Sequence, residues 1–477
     1  MTRRSTGGIL SKVRAFDRRT LVLLVLVVGT ATAATAGIGA YKYVGRTPGE
    51  LMDYADRRLK GHPRLEAVAH PVFSILRSAF DAPAAKVRTR MPFPVPPPPP
   101  RQGAQQVPDP EPVPDGVRIW RVGPSGPIFS ISEAARLARS GDVVEIEAGD
   151  YRGDVAVWRQ SKLTIRGVNG NARLFADGRS AERKAIWVIR QGDFDIANID
   201  FIGAKVGDGN GAGIRFEGGN LRLRNCLFWG NQMGLMTSNS IKATDATLII
   251  EGSEFAYSHV QNKWGHNLYV GTIASLTVSG SYFHHAGVGH LLKSRAKVNH
   301  ILYNRLTDES GGRASYELEF PNGGLVRLVG NVVQQQVGAE NSVMVAIGLE
   351  GYKWPLNVLY MGNNTLVNDH PYGGTFLRVA PGADRIVAAN NLLVGPGRYK
   401  VEGDLTVVND VRAGWSAFVR PSRQDYGLKE PTEELAYRSF GDAELELLLK
   451  PTAQYVHPRT MKKLQSTPNY VGAVASP

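Results

Sequence analysis

The chain has a single cysteine in 477 residues, Cys226. That excludes an intramolecular disulfide framework and any paired-cysteine metal knuckle, and inside a repeat Cys226 reads as a small buried apolar residue. Acidic residues are also scarce, 43 against 56 Lys and Arg, for a net charge of +13. The excess is local: residues 1–101 hold 17 Lys and Arg against 6 Asp and Glu, which accounts for +11 of it. The rest is close to neutral and lacks a basic stripe interleaved with aromatics, so no nucleic-acid partner is expected. Long apolar runs are missing apart from one.

That run is residues 20–40, 21 positions without a charge, preceded by Arg3, Arg4, Lys12, Arg14, Arg18 and Arg19. Its length suits a transmembrane helix acting as a signal-anchor. The flanking cations keep residues 1–19 cytoplasmic and send the rest across the membrane, into the periplasm or outside the cell. The competing reading is a cleaved signal peptide, because the strongly apolar part is short and small-residue sites such as 34–36 follow. Both readings export the body. Residues 41–91 mix apolar and charged positions at helical spacing, broken by Pro63 and Pro71, and read as juxtamembrane helices. Residues 92–116 are rich in proline, with five in succession at 96–100, and read as a stiff polyproline II spacer.

The body repeats. An eight-residue pattern, apolar at its first, third and last positions with Asn or Gly near the fifth or sixth, begins at Phe194, Leu221, Leu248 and Leu276. It continues more loosely at Asn299, Val326, Leu359 and Ile386, in steps of 27, 27, 28, 23, 27, 33 and 27 residues. A period in the twenties built of short alternating strands and Gly/Asn turns signals a solenoid whose coils cover one another. The expected fold is all-β, a right-handed parallel β-helix over residues 117–400, with residues 401–477 as a C-terminal cap over the last coil.

Residues 130–141 (SISEAARLARSG) read as a short amphipathic helix with Ser132 as its N-cap, followed by a strand from Asp142. This stretch, its continuation DVVEIEAGDYRGDV and the LTIRG at Leu163 resemble the start of right-handed parallel β-helix proteins that act on polysaccharides, the pectate lyase-like superfamily. The resemblance implies a helix capping the first coil and a carbohydrate polymer as partner. Lyases, hydrolases, epimerases and non-catalytic tail or adhesin proteins share that fold.

Three segments carry unusual polar residues at matched places: 265–271 (GHNLYVG), 289–295 (GHLLKSR) and 314–320 (ASYELEF). With Leu268, Leu292 and Leu318 inward, strand alternation puts Tyr269, Lys293 and Glu319 in one outward column about 4.8 Å apart. Asn267, Leu291 and Glu317 are expected in a second. Six of the ten histidines lie between 259 and 300: His259, His266, His284, His285, His290 and His300. Cleavage of a uronic-acid polymer by β-elimination needs a cation for the sugar carboxylate, a base and an acid. Lys293 or Arg295, His290 or His266, and Tyr269 could supply these roles. Hydrolysis needs two carboxylates, here Glu317 and Glu319. A metal held by histidines is a third chemistry, for which the spacing is not diagnostic. Asn267, His284, His285, Arg295 and Arg313 are the candidate substrate-binding residues. A plain surface ion pair between Lys293 and Glu319 is the structural alternative.

The run Leu292-Lys293-Ser294 is similar to the Asn-Lys-Ser turn of the chondroitinase B and alginate lyase group, whose lysine acts as base. The similarity carries over Lys293 alone, because Glu317 and Glu319 stand where that group has an arginine. Residues 284–290 replace its calcium-binding acids, so no metal and no cofactor is assigned. The sequence thus points to an exported, membrane-tethered β-helix that binds and modifies an extracellular or cell-envelope polysaccharide. A non-catalytic carbohydrate-binding or structural surface protein is the alternative.

Overall fold

The structure, a computed structural model, describes residues 93–100, 112–238, 244–261, 264–370, 373–429 and 432–473. The segments expected at 1–19, 20–40 and 41–91 lie outside these residues. Among the described residues no helix is long and apolar enough to cross a membrane.

The described residues build a parallel β-solenoid. Each coil contributes one strand to each of three parallel ladders, the third of them a ten-stranded sheet running from Ala156–Trp158 to Arg398–Val401. The hand is the right-handed one that crossover connections between parallel strands adopt. The repeat read from the sequence is the register of the first ladder: Phe194, Leu221, Leu248, Leu276, Asn299, Val326, Leu359 and Ile386 are direct neighbours in that order.

The Asn/Gly signal has a backbone cause. The fifth position of the pattern turns the corner between the first and second ladders at positive φ: Asn198 (62°), Asn225 (50°), Gly252 (52°), Gly280 (57°), Tyr303 (56°), Gly330 (66°), Asn363 (52°) and Asn390 (53°). Glycine and asparagine tolerate that region best. The sixth position points inward, and from Asn304 through Asn331, Asn364 and Asn391 to Asp410 it forms a buried ladder in which each side-chain oxygen accepts the preceding coil's amides. Cys226 occupies the same position and is fully buried, with its thiol pushed up to about 12 by burial. The coil interior is aromatic in its first half, where Phe201, Phe228, Phe255 and Phe283 stack at 5.0, 4.4 and 4.8 Å.

Helix α1 (Ile131–Leu137) buries Ile131, Ala134 and Ala135 against the first coil. Its N-cap is Ser130, not Ser132: Ser130 Oγ accepts from the Glu133 amide, while Asp154 takes the Ile131 and Ser132 amides. Ladder strands continue to Ala413, beyond the expected limit of 400.

The residues after Ala413 do more than close the last coil. They run back along the flank, with Phe418, Tyr426, Leu428 and Val471 packed on Val332, Val367, Leu392 and Val394, and helix α2 (Ala443–Leu449) packed through Leu445 and Leu449 near Val329, Tyr360 and Val387. Arg459 reaches as far as Glu254, at 3.7 Å. The physical reason lies in the outward positions of those strands, which are apolar in the later coils and need a cover, as parallel sheets generally do on both faces. Part of the expected spacer is packed as well. Phe93 is buried, with its ring 5.1 Å from His259 and 6.2 Å from Tyr257, and Trp229 Nε1 donates to the Pro96 carbonyl at 2.9 Å.

Candidate functional site

The site lies on the outer face of the third ladder, on strands β1 (Leu268–Val270), β2 (His290–Ser294) and β3 (Tyr316–Phe320). Leu268, Leu292 and Leu318 pair in register and point into the core. Strand alternation then sends Tyr269, Lys293 and Glu319 outward in one column, as the sequence implies. The column extends to Met236 and Arg215 on one side and to Ala346, Arg378 and Lys400 on the other.

The second column differs from the expectation. Asn267, Leu291 and Glu317 are fully buried and belong to the interior, where successive residues such as Leu291 and Leu292 both pack in the core. Asn267 is structural: its amide donates to the Phe255 and His284 carbonyls and its oxygen accepts from the Ser258 amide. Glu317 lies inside beside Asp308 and accepts from Gln335 at 3.3 Å. Burial, and then the Asp308 charge, raise its carboxyl well above the usual range. Glu317 and Glu319 therefore sit on opposite sides of the sheet and cannot form a hydrolytic pair.

The real second column is His266, His290 and Tyr316, whose rings stack at 4.7 and 5.0 Å. His266 Nδ1 accepts from the His290 amide at 3.0 Å and faces His290 Nδ1 at 2.8 Å. A proton on His290 Nδ1 satisfies that second contact and leaves His290 Nε2 as an acceptor, 3.2 Å from Glu319 Oε2. Burial, helped by Lys293 and Arg295, holds the His266 imidazole down at about 3. The same burial, with His266 and Lys293, puts His290 well below its ordinary value. Both rings are neutral and weakly basic near neutral pH, which fits hydrogen bonding better than proton abstraction.

Charge gathers beside them. Lys293 Nζ stands 2.7 Å from Glu319 Oε2 and 2.8 Å from Glu350 Oε1, and Arg295 donates to Glu350 Oε2 at 2.7 Å. Lys293 and Glu319 are both nearly covered, so this is no simple surface pair. Burial raises the Glu319 carboxyl despite Lys293, whereas the Lys293 hydrogen bond and the nearby cations overcome burial and hold Glu350 below the carboxylate range. The turn bearing Glu350 also brings Trp354, whose Nε1 donates to the Arg295 carbonyl at 3.2 Å, and the Arg295 guanidinium lies 5.7 Å from the Tyr269 ring.

The structure thus joins Tyr269, Lys293, Glu319, His266, His290 and Arg295, and separates the others. His284 and His285 lie on the second ladder's flank, where His284 Nε2 meets Glu254 at 3.2 Å and His285 bonds the Ser310 carbonyl. Arg313 belongs to the same flank, 5.8 Å from the Phe93 ring. Among the described residues no group of three or more His, Cys, Asp or Glu side chains is placed to hold a metal ion. Sequence reasoning missed Tyr316 and Glu350. Tyr316 aligns with His266 and His290, a signal that was available. Glu350 sits in the extra residues of the longest step, outside any aligned strand.

No protein-family model matches the chain, and no curated protein does. Among solved structures, a pectate lyase, Pel9A, aligns at 14% identity with a TM-score of 0.45, over 76% of this chain and 98% of that one. A tailspike protein, Dettilon gp208, aligns at 10% identity with a TM-score of 0.34, over 57% of this chain and 59% of that one.

Proposed function

We propose that this protein is exported, tethered by residues 20–40, and binds and modifies an acidic polysaccharide of the cell envelope or exterior at the third ladder's outer face. The observation that carries the reading is the Lys293–Glu350–Arg295 arrangement. A carboxylate on a long side chain bridges two cations, Lys293 in the outward column and Arg295 just past the strand, and Glu350 is the exposed member, with a side chain 44% accessible. A uronate carboxylate matches Glu350 in charge and geometry and would take its place. Arg215, Arg378 and Lys400 in the same column support binding of several acidic units.

Elimination fits these residues best. Arg295 pairs with the uronate carboxylate. Once the uronate has displaced Glu350, Lys293 gives one Nζ proton to the Glu319 carboxylate 2.7 Å away and, as the neutral amine, takes the C5 proton. The electron pair left behind forms the C4–C5 double bond as the C4–O bond breaks, and the Tyr269 hydroxyl protonates the departing oxygen. His266, His290 and Tyr316 form the wall that orients Glu319. Hydrolysis is the second reading, favoured by one observation: Glu319 is raised and Glu350 lowered, the split that separates an acid from a base.

The two part on Glu350→Gln. Elimination expects tighter polymer binding, with KM lowered and product formation retained, because a competing carboxylate is gone. Hydrolysis expects activity to fall by about 100-fold or more with the loss of a catalytic carboxylate. Polymer binding with no product from any substrate would leave the carbohydrate-binding alternative.

A further inference from the structure

On the second ladder's flank, away from the candidate site, Trp229 and Tyr257 form an aromatic platform at 4.5 Å, with His284 5.9 Å from Trp229 and His285 stacked on Tyr257 at 4.6 Å. His259 and Arg313 stand at its edge. These contacts are made among the coils themselves, so the platform is built independently of what lies on it. What lies on it is proline-rich. The Phe93 side chain is the buried anchor, Val95 sits over Gly230, whose missing side chain leaves room for it, and Trp229 Nε1 donates to the Pro96 carbonyl at 2.9 Å.

An apolar anchor, aromatic walls and an indole N–H aimed at a carbonyl are the elements by which folded domains hold polyproline II segments. The occupant suits that mode, because five consecutive prolines at 96–100 lose little freedom on binding. Its own hold is light. Val95, Pro96 and Pro97 stay exposed, and among the described residues one hydrogen bond fastens the backbone. We propose that the Trp229–Tyr257–His259 face is a binding site for proline-rich peptide segments, filled in cis by residues 93–100 as an exchangeable latch.

The test uses the full-length chain and a fluorescent peptide of the sequence of residues 93–100, followed by anisotropy. Phe93→Ser weakens the resident segment and is expected to bind the peptide at least about 10-fold more tightly than the unchanged chain, in which the site is occupied. Adding Trp229→Phe to that variant, which removes the donor and keeps a ring, is expected to cost at least about 5-fold. Phe93→Leu gives an intermediate affinity and keeps the test open if the serine variant is unstable. Equal binding by the unchanged and Phe93 variants, or indifference to Trp229→Phe, would overturn the proposal. A dimer of the unchanged chain that added peptide dissolves would also overturn it, because the segment would then be exchanged between copies and not held in cis.

Discussion

At the scale of the residue, two glutamates two positions apart have opposite fates. Glu319 faces out beside Lys293 and His290, and Glu317 faces in beside Asp308. Glu317→Gln should therefore leave product formation unchanged, whereas Lys293→Ala should abolish it, as steady-state assays on one polymer will show. The interior acids add a pH signature. Burial raises the Asp308 carboxyl to about 8 from a usual 3.8, and Glu317 is raised in the same sense. Between those two values the folded chain keeps protons on these acids that the unfolded chain has lost, so their contribution to stability is greatest in acid and falls as pH rises from about 3.8 towards about 8. Asp308→Asn and Glu317→Gln, which stay neutral, should each flatten that slope and raise the unfolding midpoint at pH near 8 in denaturant titrations. A midpoint unchanged in both variants would show that these groups are not buried as described.

At the scale of the element, the corner of each coil explains what could be read in advance. The Asn/Gly position was legible because a positive φ is costly for other residues, and it set eight of the first-ladder strands in register. The inward leucines were legible for the same reason, since strand alternation holds within a strand. It fails at the strand's entrance, where Leu291 and Leu292 both face the core, and so Asn267 and Glu317 were expected on the wrong side. The asparagine ladder should carry much of the later coils' stability. Asn331→Leu removes the acceptor of the Asn304 amide and a donor to the Ile301 carbonyl and is expected to cost roughly 1–3 kcal/mol. Phe255→Ala empties the middle of the aromatic stack and should cost about 3–5 kcal/mol. Chemical denaturation of each variant against the parent measures both.

At the scale of the whole molecule, the flank is closed by chain that no repeat announces. Residues 418–429, 432–473 and 93–96 cover outward positions of the first and second ladders, and none has a periodicity by which its contacts could be read. A body cut to begin at Pro112 would lose the Phe93 anchor and is expected to be less stable by about 1–3 kcal/mol than one beginning at Phe93, without a change in product. Along the third ladder the outward cations set the field. Affinity for an acidic polymer should fall as salt rises from 50 to 500 mM, concentrations chosen to take the screening length from about 14 to about 4 Å, while any binding of a neutral polymer should not. A screen of the fragment from Phe93 onward against acidic and neutral polysaccharides, following the ultraviolet absorbance of unsaturated uronate alongside new reducing ends, decides whether the third ladder's outer face carries out elimination. Absorbance is expected to grow on an acidic polymer, to be lost in Lys293→Ala and to be kept in Glu317→Gln. Growth that survives Lys293→Ala would contradict this assignment and place the chemistry elsewhere on the coils.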